Sequence, residues 1–341
     1  MNVLVTGGAG YIGSVCAEQL VKQQHRVVSY DNLSAGHRAA VVAGAVFVHG
    51  DLADRAKLGR VCRKYRIEAA MHFAASARVD ESVRNPALFY RNNVGASLVL
   101  LDVLVENKIT KLVFSSSAAV YGEPQAVPIP EDHPTAPINP YGETKLVLER
   151  TLAWYRRAYG LEFVSLRYFN AAGATKLLGE DHRPETHLIP RLLGAVGDAS
   201  VEFAIYGDDY PTADGTCVRD FVHVVDIAQA HILALRKLSK LRCVIYNVGL
   251  GKGYSIREVV DSVERLTGRK VKVKIGPRRI GDPASLVASS DRLRSELGWK
   301  PRYSDLATIV TSAWEWKRRH PKGYPAEERV RDKKHRQALM A

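Results

Sequence analysis

Cysteine is scarce in this 341-residue chain, and the four present (Cys16, Cys62, Cys217 and Cys243) lie far apart with no paired spacing. That scarcity sets aside a disulfide framework and a cysteine-based zinc site, and it fits a reducing compartment. No apolar run approaches the ~20 residues that a bilayer crossing needs, and an apolar strand starting at Asn2 leaves no room for a signal peptide. A cytoplasmic protein with no membrane association is therefore expected. Internal repeats and low-complexity tracts are absent too, which excludes solenoids and long disordered arms. Acidic residues are the deficient charge: 36 against 49 lysines and arginines, a formal net charge of +13. Much of the excess sits after the last helical pattern, between Lys317 and Arg336. With no stacking platform or binding motif beside it, that run reads as a solvated basic tail over 326–341, and nucleic-acid binding is not expected.

Glycine, by contrast, is placed with purpose at the start. The apolar run Asn2–Thr6 delivers Gly7, Gly10 and Gly13 to an amphipathic segment that begins at Tyr11. Glycines at that spacing let a backbone turn tightly, approach a pyrophosphate, and pack a helix on the strand, with the helix N-terminus facing the phosphates. A second apolar run ends at Asp31, at the distance expected of a ribose-binding acid. A carboxylate there accepts from both ribose hydroxyls and repels a 2′-phosphate, favouring NAD over NADP. The nearest basic residue is Arg38, and Asp31 also suits the turn Asp31–Ser34.

Apolar runs near 2–6, 26–30, 45–48, 68–73, 111–115 and 162–168 alternate with helical patterns. Such alternation implies an α/β fold, a doubly wound parallel sheet covered on both faces. A long apolar helix is expected over 85–107. Past Asn170 the rhythm loosens into loops at 173–190 and 207–215, where a smaller α/β substrate-binding domain begins. Helices near 224–238, 255–267, 290–297 and 304–319 and strands near 201–206, 243–247 and 271–275 fill it. The expected division is 1–173 for the cofactor and 174–325 for the substrate, with parts near 220–248 packing back on the first domain.

The chemistry centres on Tyr141 and Lys145, four apart and so on one helix face. An ammonium near a phenol favours the phenolate, lowering the pKa from ~10 and making a base usable near neutrality. A serine from the strand-like stretch Phe114–Ser117 can stand beside them, because ligands in such sheets bind outside the carboxyl ends of the strands. His182 and His187 lie close in sequence, but their spacing lacks other ligands, so no metal is expected; His72 reads as the end of a buried strand.

Together with VTGGAGYIG (5–13), YDNLSAGH (30–37), SSSAAVYGEP (115–124), NPYGETK (139–145), RYFNAAGA (167–174), GEDHRPETHLIP (179–190), GDDYPTADGTCVRDFVHV (207–224) and PRRIGDPA (277–284), these residues resemble the extended short-chain dehydrogenase/reductases. Over roughly 1–325 the chain is similar to the UDP-glucose 4-epimerase family among them, and the last three stretches are the closest to it. The resemblance implies a Rossmann-type fold, a homodimer through helices near 85–107 and 140–159, and C4 epimerisation of UDP-glucose and UDP-galactose through a 4-keto sugar.

It also implies roles. Tyr11, Ile12, Asn32, Asp51, Leu52, Phe73, Ala74, Ala75, Asn92, Ser115 and Tyr168 would join Gly7, Gly10, Gly13 and Asp31 around NAD. Tyr141 would be the base, Lys145 its partner and a ribose ligand, and Ser117 the hydroxyl bridging sugar and tyrosine. Asn170, His187, Leu188, Tyr206, Arg219, Arg279 and Asp282 would hold the UDP-sugar. Some members carry lysine where Ala77 stands, with Arg78 beside it here, and the residue at Leu286 varies with acceptance of N-acetylated sugars. A 4,6-dehydratase would need an acidic pair where Ala118 and Ala119 stand. UDP-pentose and UDP-glucuronate epimerisation stay open, and a non-catalytic dinucleotide- or RNA-binding protein would have no need of Ser117, Tyr141 and Lys145 together.

Overall fold

A computed structural model describes residues 1–197, 200–241, 243–279 and 281–325; the expected basic tail at 326–341 lies outside the described residues. Strands β1 (Asn2–Thr6), β2 (Arg26–Asp31), β3 (Ala45–His49), β4 (Ala69–His72), β5 (Lys111–Ser117) and β6 (Glu162–Tyr168) form where the apolar runs predicted them. Helices α1 (Tyr11–Lys22), α2 (Arg55–Lys64), α3 (Val79–Arg84), α4 (Pro86–Phe89), α5 (Ala96–Glu106) and α6 (Pro140–Tyr159) connect them. After these come β7 (Asn170–Ala172), α7 (Leu188–Gly197), β8 (Phe203–Tyr206), β9 (Val218–Arg219), β10 (Phe221–His223), α8 (Val224–Leu241) and β11 (Cys243–Val248). The chain then forms β12 (Tyr254–Ser255), α9 (Ile256–Thr267), β13 (Val273–Gly276), β14 (Ser285–Leu286), α10 (Asp291–Leu297) and α11 (Leu306–Arg319).

Seven strands make the main sheet in the order β11-β6-β5-β4-β1-β2-β3, every pairing parallel. The order reverses at β1, which lies between β4 and β2, so the carboxyl ends of these strands open the crevice where such sheets bind ligands. Buried on both faces, the strands bring Val3, Val5, Met71, Val113 and Val164 to one core and Leu4, Val28, Ala70, Leu112 and Phe163 to the other. The last strand of the sheet, β11, comes from late in the chain, and α8 packs on α1. A separate core of Ile189, Leu192, Phe203, Val259, Val263, Ile309 and Val310 joins α7, β8, α9 and α11.

Three differences from expectation have local causes. The helical run Pro86–Glu106 is long and apolar enough to cross a bilayer, contrary to the sequence reading, although Leu100, Leu101, Val103 and Leu104 pack into the sheet core. That run is interrupted by a π turn, Tyr90–Gly95, whose extra residue per turn rotates the asparagines inward. The two-residue strands β9, β12 and β14 form a small sheet that no alternation signals, since two residues carry no period.

Candidate active site

The glycine loop turns at the end of β1. Gly7 has φ +70°, and a Cβ there would lie 2.6 Å from Ala74 N; a Cβ on Gly13 would lie 2.2 Å from Gly7 O. Gly10 is the N-cap of α1 and no side-chain hydrogen bond caps that end, leaving first-turn amides to meet an anion. Asp31, at the end of β2, accepts from the amides of Ala9 (3.0 Å) and Leu33 (2.8 Å), one on each oxygen. It thus closes the turn and faces the loop at once. Burial pushes its pKa up, against the pull of the two amides. Arg38 lies over the Phe47 ring, 4.4 Å from its centroid. Asn32 Nδ2 donates to Asp51 Oδ2 (2.8 Å), and Leu52 is buried behind them. Tyr11 Oη donates to Gly173 O (2.6 Å), Ile12 packs on the core, and Phe73, Ala74 and Ala75 continue from β4, half-buried. This shaped, uncapped loop with an acid beside it fits a dinucleotide.

At the carboxyl end of β5, Ser115 Oγ meets Tyr168 Oη from β6, and Lys145 Nζ donates to Ser115 O (2.7 Å). Tyr141 and Lys145 lie in the first turns of α6, which Asn139 caps by accepting from Gly142 N (2.9 Å) with Pro140 at the first position. Lys145 Nζ stands 5.8 Å from the Tyr141 ring centroid. Burial pushes the lysine down to about 7. Burial also pushes the Tyr141 phenol up, while a hydrogen bond with Ser117 pulls it down. In the protein alone, desolvation therefore outweighs the lowering expected from Lys145, whose ammonium is turned to a carbonyl rather than to the phenol. Tyr168 is raised as well, by burial.

The π turn supplies one residue the sequence reading missed, Asn93, beside the expected Asn92. Asn92 Nδ2 donates to Ser76 Oγ (2.9 Å), but its neighbour Asn93 is the buried one, donating to Ser76 O (2.9 Å) and Thr144 Oγ1 (3.1 Å). Thr144 Oγ1 in turn donates to Tyr141 O (2.7 Å). Asn93 thereby ties the loop after β4 to the helix that carries Tyr141. Only the apolar context of Asn93 hinted at this. Arg78 pairs with Asp80 and Glu81, and Ala77 is exposed.

The residues expected on the nucleotide side lie in the second half of the chain. Arg219 on β9 is buried and ion-paired with Asp282, whereas Asp220 accepts amides of Leu250, Gly251 and Ala288. Arg279 lies 4.0 Å from the centroid of Tyr206, on β8, so one face of that ring carries a guanidinium. Asn170 lies on β7 beside β10, and Leu286 on β14 packs with Ala118 and Phe169. Leu188 opens α7. His187, just before it, meets Glu180 Oε1 (2.9 Å) and Glu185 Oε1 (3.1 Å) through Nδ1, and His182 Nδ1 lies 3.4 Å from Glu180 Oε1 and 3.7 Å from Glu185 Oε2. Burial pulls both rings down, but the carboxylates outweigh it and push His187 up to about 10 and His182 to about 9. The two glutamates were not foreseen; the spacing Glu-x-His-x-x-Glu-x-His was their signal.

A glycine loop, an acid at the end of β2 and Ser117, Tyr141 and Lys145 near the carboxyl end of β5 stand on a doubly wound sheet, the arrangement expected of the extended short-chain dehydrogenase/reductases. Residues 3–249 match the NAD dependent epimerase/dehydratase family, and the chain belongs to it. It is 47% identical over 332 residues to the UDP-glucose 4-epimerase of Halalkalibacterium halodurans, covering 96% of this chain and 99% of that one. Among solved structures, it is similar to UDP-glucose 4-epimerase from Brucella ovis in complex with NAD (TM-score 0.89, 50% identity, 92% of this chain and 97% of that one). The enzyme from Bifidobacterium longum in complex with NAD+ and UDP also matches (TM-score 0.91, 37% identity, 95% and 100% covered).

Proposed function

We propose that this protein inverts C4 of a UDP-hexose, interconverting UDP-glucose and UDP-galactose through a transient 4-keto sugar, with NAD as its resident cofactor. The observation that carries the reading is the half-buried Ser117–Tyr141 pair with the buried Lys145 beside it at the carboxyl end of β5. When bound, NAD supplies a hydride acceptor, and later donor, at the sugar carbon.

The chain's own residues do the rest. Gly7, Gly10 and Gly13 hold the pyrophosphate against α1, and Asp31 with Asn32 and Asp51 holds the adenosine end. Lys145, Ser115, Asn92 and Tyr168 hold the other ribose. Tyr141 takes the proton from the 4-hydroxyl as the ketone forms, and returns it after the hexose has turned its other face. Ser117 bridges the same oxygen and the phenol. Binding energy concentrates on UDP: Arg219 and Arg279 take the diphosphate, and Tyr206, His187, Leu188, Asp282 and Asn170 shape the pocket. The small Ala118 and Ala119 leave the sugar room to rotate, and their lack of acid groups disfavours dehydration.

Residues 1–173 are assigned to the cofactor and 174–325 to the nucleotide sugar. A homodimer is proposed through α5 and α6, supported by the exposed Leu98, Trp154 and Tyr159 along these helices and Tyr90 in the π turn before α5. We assign it to the cytoplasm, without membrane or nucleic-acid partners, consistent with the free thiols Cys16, Cys62 and Cys217.

The test is to incubate the protein with UDP-galactose and no added cofactor and to resolve the products by chromatography. UDP-glucose is expected from the wild type, with a loss of at least about 10²-fold for Tyr141→Phe. Turnover of UDP-arabinose or UDP-glucuronate alone, or equal activity in the variant, would overturn the reading.

A further inference from the structure

The quartet Glu180, His182, Glu185 and His187 stands apart from the reacting groups and is more than an ion-pair cluster. We propose that it is a tetrahedral binding site for a divalent transition-metal ion, zinc foremost, that clamps the loop leading into α7.

The geometry carries the assignment. Each residue offers one ligand atom, and these atoms all lie within 4.8 Å of one another. A zinc ion with bonds of about 2.0–2.1 Å to nitrogen and oxygen spaces tetrahedral ligands about 3.3 Å apart. His187 Nδ1 lies 2.9 Å from Glu180 Oε1 and 3.1 Å from Glu185 Oε1, and His182 Nδ1 lies 3.4 Å from Glu180 Oε1 and 3.7 Å from the other Glu185 oxygen, Oε2, so each imidazole has both carboxylates near that spacing. His182 Nδ1 is a buried atom without a hydrogen-bond partner and lies within 4 Å of two carboxylates; once it gives up its proton to a metal ion, that nitrogen faces both of them.

The surroundings fit too. Glu185 is fixed by the amides of His182 (3.2 Å), Thr186 (2.8 Å) and His187 (2.8 Å), the outer bonds that hold a ligating carboxylate in place. Glu180 and Glu185 line a cavity of about 200 Å³ beside Arg191 and Trp316, a route by which an ion can enter. Two imidazoles and two carboxylates suit zinc, cobalt or nickel better than calcium or magnesium, which prefer oxygen alone. All four positions are filled by protein, so the ion is structural and leaves no open place for a reacting water. Held through Nδ1, His187 keeps its Nε2 off the ion. The ion thus sets the ring's direction without entering the chemistry, and the proposal stands whether or not the sugar assignment is correct.

The test uses the full chain with its cofactor. After incubation with zinc chloride and desalting, elemental analysis is expected to find about one zinc per chain, and cobalt(II) chloride is expected to give the intense visible absorption of a four-coordinate ion. His182→Gln and Glu185→Gln, each checked for folding by circular dichroism, are expected to lose both signals. Zinc is also expected to raise the Tm of the wild type by several degrees and of neither variant, because a ligand of the native state alone stabilises it. Sub-stoichiometric zinc in the wild type, an octahedral cobalt spectrum, or equal zinc in a folded His182→Gln would overturn the assignment. The wild-type arms decide it even where a variant does not fold.

Discussion

Replacing Glu149 by glutamine isolates a buried charge pair that supports the reactive edge of the sheet. Glu149 on α6 and Arg167 on β6 are paired at 2.5 Å with side chains 3% and 4% exposed. The carboxylate also accepts Ser116 Oγ (2.6 Å) and Arg167 Nε (2.9 Å), while Arg167 Nη1 donates to Tyr121 Oη (3.0 Å). Glutamine keeps the size but presents one acceptor and one NH2, so one contact with the guanidinium becomes donor against donor and the charge stays buried without its partner. Breaking such a pair costs about 3–5 kcal/mol. Unfolding entropy of about 2.1 cal/mol/K per residue gives about 0.7 kcal/mol/K for a chain of this length, so Tm should fall by about 4–7 °C. Differential scanning calorimetry of the cofactor-loaded protein reads this. Lys270→Ala, which removes a side chain 90% exposed from its pair with Glu264, should shift Tm by less than about 1 °C. The double variant Glu149→Gln/Arg167→Met, which removes both charges, should recover much of the loss. A drop below about 1 °C for Glu149→Gln, or a double variant as unstable as two independent losses added, would refute the reasoning.

Lys145 yields a pH signature in cofactor-free protein. Its pKa is pushed from 10.5 down to about 7 by burial, so between those values the unfolded chain holds a proton that the folded chain does not. The lysine therefore adds stability as pH rises above about 7, and this is lost as pH falls back through that value. Relative to Lys145→Met, wild-type stability in urea should climb by up to about 1.4 kcal/mol per pH unit between about pH 7 and 9; a constant difference would contradict the shift. Gly13→Ala places a methyl 2.2 Å from Gly7 O. It should weaken NAD binding, read by fluorescence titration, by at least about 10²-fold, and unchanged affinity would mean that the loop does not cradle the pyrophosphate.

The parallel core was legible because each of its first six strands is a compact apolar run bounded by turn residues, and the glycine loop because its spacing is itself the mechanism. The site was legible only as far as residue types announce chemistry. Tyr141, Lys145 and Ser117 could be read as a set, but not the direction of the lysine, since Ser115 O competes for its ammonium. Tyr90–Gly95 keeps helical periodicity while its backbone widens to a π turn, so nothing in the pattern signalled that Asn93, rather than the expected Asn92, would be the buried one. Glu180 and Glu185 carry no apolar pattern, and only the fold of their loop brings them onto the two histidines.

The placement of β11 has a consequence for how this chain is made. Residues 243–248 pair along β6 in a register from Cys243 against Phe163 to Val248 against Tyr168, so the sheet that shapes the glycine loop is unfinished until about seven-tenths of the chain has been synthesised. A nascent or truncated product ending near residue 173 would present β6 as a bare edge of backbone donors and acceptors, a template for pairing with other chains. Residues 1–173 are thus not a portable module, and the late segment acts as their built-in protection against aggregation.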